Sequence, residues 1–286
     1  MQKLKRTALL TSALLASTSL TSTALTGSTV TQVTKPEEAR AVTGAQVSTH
    51  RLVPLERLLG AKVFASIELE RDGERAEPLA KLERMTLVAR SGVLQDAILV
   101  SGGIAGLDED ERGLPLSELT WSSEQRHWVV SMTRDEFEAI EPIEHEEPTE
   151  QAEQSSETGV RAVTDPLSTA DVLGHEVRAG ARGPAWGPVA DLFVDVETRR
   201  VRFATVKVGG VVGIGATLYP VPWAALAIEW VRDTEASTLR IVVPMTPAQL
   251  EAAPKIDADD GRTLASPTFR REVEVFFGTV PTEASS

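Results

Sequence analysis

The chain carries one plan twice, and a duplicated plan sets the unit from which the fold is built. Leu59-Gly60-Ala-Lys-Val63 matches Leu173-Gly174-His-Glu-Val177. Gly102-Gly103-Ile-Ala-Gly106 matches Gly209-Gly210-Val-Val-Gly213. Leu114-Pro-Leu-Ser-Glu-Leu119 matches Val221-Pro-Trp-Ala-Ala-Leu226, and Met132-Thr133 matches Met245-Thr246. The two copies also begin and end alike. Leu55 to Leu59 and Ser168 to Leu173 read as single helical turns, each stopped by a glycine (Gly60, Gly174) suited to a left-handed cap. Thr133-Arg-Asp-Glu136 and Thr246-Pro-Ala-Gln249 both fit the capping box that opens a helix, with Pro247 at its first position.

Between those ends the second copy reads as short strands. Val189 to Val196 alternates, with Leu192, Val194 and Val196 on one face and Asp191, Phe193 and Asp195 on the other. Glu197 to Arg200 is a turn, and Val201 to Val208 runs back. An even-numbered loop centred on Thr198-Arg199 sets Asp195 opposite Arg202 as a cross-strand ion pair. Ala224 to Val231 and Thr238 to Val243 are further strands. Short strands punctuated by Gly and Pro predict an all-β chain of small barrels or sandwiches.

The 286 residues suffice for about two domains at roughly 150 residues each. The first copy spans 51–143 and the second 163–257. Residues 1–26 read as a secretory signal peptide: Lys3, Lys5 and Arg6 precede an Ala/Leu-rich core, and Ser22-Thr23-Ala24 offers small residues for cleavage. That core is short and interrupted for a span of about 20 residues, so an uncleaved anchor is the alternative and the only expected membrane contact. Residues 27–50 form a polar, flexible lead. The linker 144–162 holds Glu144, Glu146, Glu147, Glu150, Glu153 and Glu157, and self-repulsion predicts an extended stretch that lets the barrels move independently. Residues 258–286 form a tail.

Net charge of -13 and 5% aromatic content argue against nucleic acid, which needs clustered Lys and Arg or stacking platforms. The absence of Cys excludes disulfides, a thiol nucleophile and Cys-based zinc sites. It suits an exported chain, whether periplasmic, in the cell envelope or secreted.

The residues Leu173-Gly174-x-x-Val177, Gly187-x-Val189-x-Asp191-x-x-x-Asp195, Val201 to Phe203, Gly209-Gly210, Gly213-x-Gly215 and Pro220-Val-Pro222-Trp223 resemble the PRC-barrel family. That family is named for the cytoplasmic domain of the photosynthetic reaction centre H subunit. The tail motif Arg270 to Gly278 is similar to a segment that follows this barrel in exported members. Two departures stand out. Arg199 occupies a turn position where family members place Gly. The first copy lacks the Gly-x-Val-x-Asp strand and carries a charged insertion, Glu68 to Lys81, and an acidic loop, Leu107 to Arg112. The resemblance implies two small PRC-barrel-like β-barrels in tandem, each closed by a short helix. It also implies a docking or scaffold role with a protein partner rather than catalysis.

No catalytic residue, cofactor site or metal site is expected. Gly209 to Gly215 lacks the helix start and Lys of a phosphate loop. Asp191 and Asp195 lie roughly 13 Å apart along a strand, beyond the about 5–9.5 Å of paired glycosidase carboxylates. They read as surface acids. Asp108 to Gly113 and Asp257 to Gly261 are out of register for a calcium loop. His50, His127, His145 and His175 lack metal-ligand spacing, and His175 is expected at the surface. The candidate interaction residues are Asp191, Phe193, Asp195, Arg202, Tyr219 and Trp230, with Trp223 assigned to the core. The rival expectations are a carbohydrate- or cation-processing enzyme using the surface carboxylates, and a small-ligand or metal-ion binding module.

Overall fold

The computed structural model describes residues 51–104, 107–143, 159–163, 166–210, 215–232, 237–257 and 262–279. The signal segment, the lead and residues 144–158 of the linker lie outside these. The first repeat contains β1 (Leu52–Pro54), β2 (Lys62–Ala65), α1 (Ser66–Asp72), β3 (Ala80–Leu87), β4 (Leu94–Ile104), β5 (Leu107–Pro115), β6 (Leu119–Ser122), β7 (His127–Val130) and α2 (Arg134–Glu138). The second contains β8 (Gly159–Ala162), β9 (Leu167–Ser168), α3 (Thr169–Val172), β10 (Glu176–Ala179), β11 (Ala185–Asp195), β12 (Arg200–Val208), β13 (Thr217–Pro222), β14 (Ala227–Arg232), β15 (Ser237–Val243) and α4 (Pro247–Glu251). The tail forms α5 (Pro267–Phe276).

The two sheets have the same strand order. One runs β5-β4-β3-β2-β7-β6 and the other β13-β12-β11-β10-β15-β14, the latter extended by β8. In each, one contact is a parallel pair, β2 with β7 and β10 with β15, while the remaining pairs are antiparallel. Among the described residues the chain is mostly β, built on two sheets of like strand order. The alternation read along β11 holds at Leu192 and Val194, which are buried, but Asp195 is buried as well and Val196 lies past the end of the strand, half-buried. Gly187 is required by packing, because a Cβ there would sit 2.1 Å from the Lys207 carbonyl oxygen across the hairpin.

The expected end signals also hold. Gly60 and Gly174 stop their turns with φ of 70° and 76°. Thr133 Oγ1 accepts from the Glu136 N–H while the Glu136 carboxylate accepts from the Thr133 N–H. Thr246 and Gln249 repeat the arrangement. The charged insertion of the first repeat contributes α1, and Arg134 of α2 reaches back to Glu68 at 3.3 Å. The expected acidic loop is instead part of a strand. Asp110, Glu111 and Arg112 pair in register with Ser101, Val100 and Leu99 of β4. Glu111 accepts from Arg84, and Arg112 is buried against the Phe137 ring.

The expectation of independently moving barrels is overturned, because each repeat lends a short strand to the other. β1 pairs with β11, and β9 pairs with β3. The registers correspond: Val53 lies opposite Val194 just as Leu167 lies opposite Leu87. The turns that follow go with their strands. The Met85 N–H donates to Thr169 Oγ1 at 3.1 Å, and the Glu56 N–H donates to Asp191 Oδ1 at 3.3 Å.

The hairpin turns of the two repeats also join directly. The Leu94 N–H donates to the Arg199 carbonyl (2.9 Å) and the Val201 N–H to the Gly92 carbonyl (2.8 Å). These reciprocal bonds bracket an antiparallel bridge between Val93 and Arg200. The Trp223 indole donates to the Ala89 carbonyl at 2.8 Å. One apolar core therefore runs through both repeats, from Leu58, Met85 and Leu99 to Val172, Leu192 and Ile241. The physical reason lies in strand length: β1 and β9 are two or three residues long and cannot persist without a sheet edge to complete.

Two consequences are measurable. The full chain is expected to unfold in one cooperative transition, with circular dichroism and tryptophan fluorescence coincident. Segments 51–143 and 159–279 expressed apart are expected to lack that transition. Gly92 has φ of 67°, and a Cβ there would lie 2.7 Å from the Trp223 ring and 2.8 Å from the Val201 carbonyl oxygen. Gly92→Ala is therefore expected to cost about 1–3 kcal/mol, read as a lower urea midpoint for the whole chain rather than for one repeat.

Candidate functional site

The six residues singled out from the sequence divide into three places. Asp191 sits where β11 meets the 3-10 turn Leu55–Arg57 of the other repeat. Its Oδ1 accepts from the Glu56 N–H at 3.3 Å and from the Leu192 N–H at 2.8 Å. The carboxylate thus caps the start of that turn, where backbone N–H groups lack helical partners. Burial pushes its pKa up to about 6, against the pull of those N–H groups and with help from the Glu56 charge. It is not the solvated surface acid that strand alternation suggested, because the exchanged β1 segment covers it.

Asp195 is 1% exposed and stands opposite Arg200, not Arg202. The pairing passes from Phe193 opposite Phe203 to Val194 opposite Val201, which leaves Arg202 as the extra residue of a β-bulge. Asp195 Oδ1 instead accepts from the Glu197 and Thr198 N–H groups, at 3.1 and 3.0 Å, and so fixes the turn. Arg199 keeps the left-handed conformation that the family's Gly would adopt, with φ of 52°. Its cost is offset across the repeat junction: its carbonyl accepts from Leu94, and its guanidinium donates to the Ser117 carbonyl at 3.3 Å. At the matching position of the first repeat stands Gly92, with φ of 67°.

Arg202, freed by the bulge, reaches Glu274 of α5 at 3.4 Å. Phe193 lies on the same outer face, half-buried against the cluster of Phe203, Leu264, Phe269 and Val273 that seats α5. Apolar residues every three to four positions on α5 explain why the tail packs there. Arg270 of α5 is lowered in pKa by burial, with Arg202 pushing the same way and Glu274 and Asp195 opposing.

Tyr219 is buried, with its ring 5.1 Å from that of half-buried Trp186 and the Lys255 ammonium 5.6 Å from its centroid. Trp230 is half-buried in β14, between Leu239 of β15 and Arg161 of β8. Trp223 is core, as expected, though its indole is spent on the other repeat. Sequence reasoning passed over Trp186 and Lys255, which turn Tyr219 into a three-residue outward cluster. The only signal was Trp186 immediately ahead of the Gly187 motif.

Among the described residues, no group of three or more His, Asp or Glu stands ready to hold a metal ion, and no helix is long and apolar enough to cross a membrane. His145 and residues 258–261 lie outside the described residues. His175 is exposed. His127 is buried against Phe64, at 4.8 Å between rings, and its Nε2 has no hydrogen-bond partner. Burial pushes its pKa down.

These two groups predict opposite acid responses. Asp191 has a folded pKa of about 6 against an ordinary 3.8, so its protonation favours the fold below 3.8 and that contribution is lost as pH rises through 6. Asp191→Asn keeps the Oδ1 acceptor without the charge. It is expected to stabilise the chain at pH 7.5 by about 1 kcal/mol, a figure reduced because solvent screens a partly exposed group. Urea unfolding at pH 7.5 and 4 reads the change as a flattened pH dependence. His127 binds protons more readily when unfolded, so stability is lost as pH falls below 6.5. His127→Phe is expected to remove that part of the acid loss in the same titration.

Among curated proteins, none matches the chain. Residues 167–262, spanning β9 to the bridge after α4, match the family model of the PRC-barrel domain.

Proposed function

We propose that the chain is an exported, non-catalytic protein in which both repeats serve as PRC-barrel modules that dock a protein partner. The observation that carries this reading is the use of Asp191 and Asp195. These are the two carboxylates that an enzyme of this chain would draw on first. Asp191 caps a backbone turn of the other repeat, and Asp195 fixes a hairpin turn. Groups committed in this way act as structural acceptors. The tandem reading of the first repeat draws its support from the shared strand order. Export draws its support from the basic, apolar and small-residue layout of residues 1–26.

The outward contact surface of this reading is the cluster of Trp186, Tyr219 and Lys255, since aromatic rings beside a cation are enriched in interface anchors. Affinity capture from the native cell envelope tests it. The chain is expected to retain a discrete, saturable protein partner, and Trp186→Ala to weaken retention at least about tenfold, as truncation of an anchor residue does. Asp191→Asn and Asp195→Asn are expected to leave it unchanged. Equal retention by Trp186→Ala would move the surface elsewhere, and failure to retain any partner would sink the docking role. Export is read separately: a reporter that is active only outside the cytoplasm, fused after residue 286, is expected to lose activity when residues 2–26 are deleted.

A further inference from the structure

We infer that a crevice at the repeat junction binds a small dianionic oxyanion, a phosphate or a dicarboxylate. The crevice has a volume of about 230 Å³ and lies between the turn at Arg90-Ser91, the bulged strand β12 and the end of α5. Arg90, Arg200 and Arg202 line it together, with Trp223 and Pro222 as the apolar wall. Three arginines lining one crevice in a chain of net charge -13 form a local reversal of sign.

The duplicated plan supplies an internal control. The two junction hairpins are equal in length, closed by Leu87 opposite Leu94 and by Val194 opposite Val201. Aligned on those pairs, Arg90, Arg200 and Arg202 take the places of Glu197, Val93 and Gln95 in the other repeat. The fold is made twice with the same strand order, yet only one side carries the cations. The fold therefore does not demand them.

The guanidiniums differ in what holds them. Arg200 Nη1 donates to the Ser91 carbonyl at 3.3 Å, which orients it. Arg202 is held by Glu274 at 3.4 Å, a contact that also takes up the one carboxylate lining the crevice. Arg90 is exposed and has no hydrogen-bond or ion-pair partner among the described residues. Planar guanidinium forks match the oxygens of phosphate and carboxylate in paired hydrogen bonds. The hydroxyl of Ser91, also at the crevice, offers a further donor. The volume lies below the about 300–1,000 Å³ of pockets for drug-sized ligands, which limits the ligand to the oxyanion and a short body.

The test uses the full chain, labelled with nitrogen-15, titrated separately with inorganic phosphate, glycerol 3-phosphate and succinate. Saturable shifts are expected in the arginine side-chain signals and in the Trp223 indole signal. Arg90→Glu, which breaks no described contact, is expected to weaken binding at least about tenfold, as is the Arg90→Gln, Arg200→Gln pair. Arg182→Gln, at an exposed position elsewhere, is expected to leave affinity unchanged. Binding of inorganic phosphate alone assigns the site to the free ion. Tighter binding of glycerol 3-phosphate assigns it to phosphate esters, and of succinate to dicarboxylates. Absence of saturable shifts with all three probes overturns the inference. So does equal affinity in Arg90→Glu and the unaltered chain.

Discussion

The reciprocal loan of β1 and β9 is the constraint on which the rest of this structure depends. Each is too short to stand as a strand, and each completes the sheet of the other repeat. Once the strands are exchanged, the turns that follow them are carried across as well. That places the Glu56 N–H over Asp191 and Thr169 Oγ1 under the Met85 N–H. It also brings the two hairpin turns into bonding distance at Val93 and Arg200. The two repeats consequently share one core, and the junction becomes as rigid as the interior of either repeat.

That junction sets the character of every polar residue near it. Asp191 would be a solvated acid on an isolated sheet; covered by a borrowed turn, its pKa rises to about 6. Arg199 would strain an isolated hairpin; at the junction its carbonyl and guanidinium both find partners in the first repeat. Arg202 is expelled from the cross-strand ladder by a bulge and finds Glu274, which fastens α5 over Phe203 and Phe193. The second repeat thus acquires a helical cover that the first lacks among the described residues. The arginine crevice exists because this asymmetry is laid over a symmetric frame.

Much of the fold was legible because its signals are local. A glycine with positive φ after a helical turn, a Thr three residues before Glu or Gln, and apolar alternation along Val189 to Val194 each report on neighbours in the chain. The pairing of Asp195 with Arg202 was misread because a bulge shifts register by one residue without a mark in the sequence. Arg112 was read as part of an acidic loop because Asp108 to Glu111 dominate the composition. Its neighbours Ile140 and Phe137, which bury it, are distant in sequence.

The sequence by itself determined the duplicated unit, its strands and caps, and the apolar residues that fill it, since these follow from periodicity and backbone preference within a few residues. Only the tertiary structure decided which repeat β1 and β9 complete. Pairing of β1 within its own repeat or with the other draws on the same short apolar pattern, so local preference is blind to the choice. The choice is made by long-range hydrogen bonds and shared burial. From it follow the capped Asp191, the fixed Asp195 turn and the arginines gathered on one side of the junction.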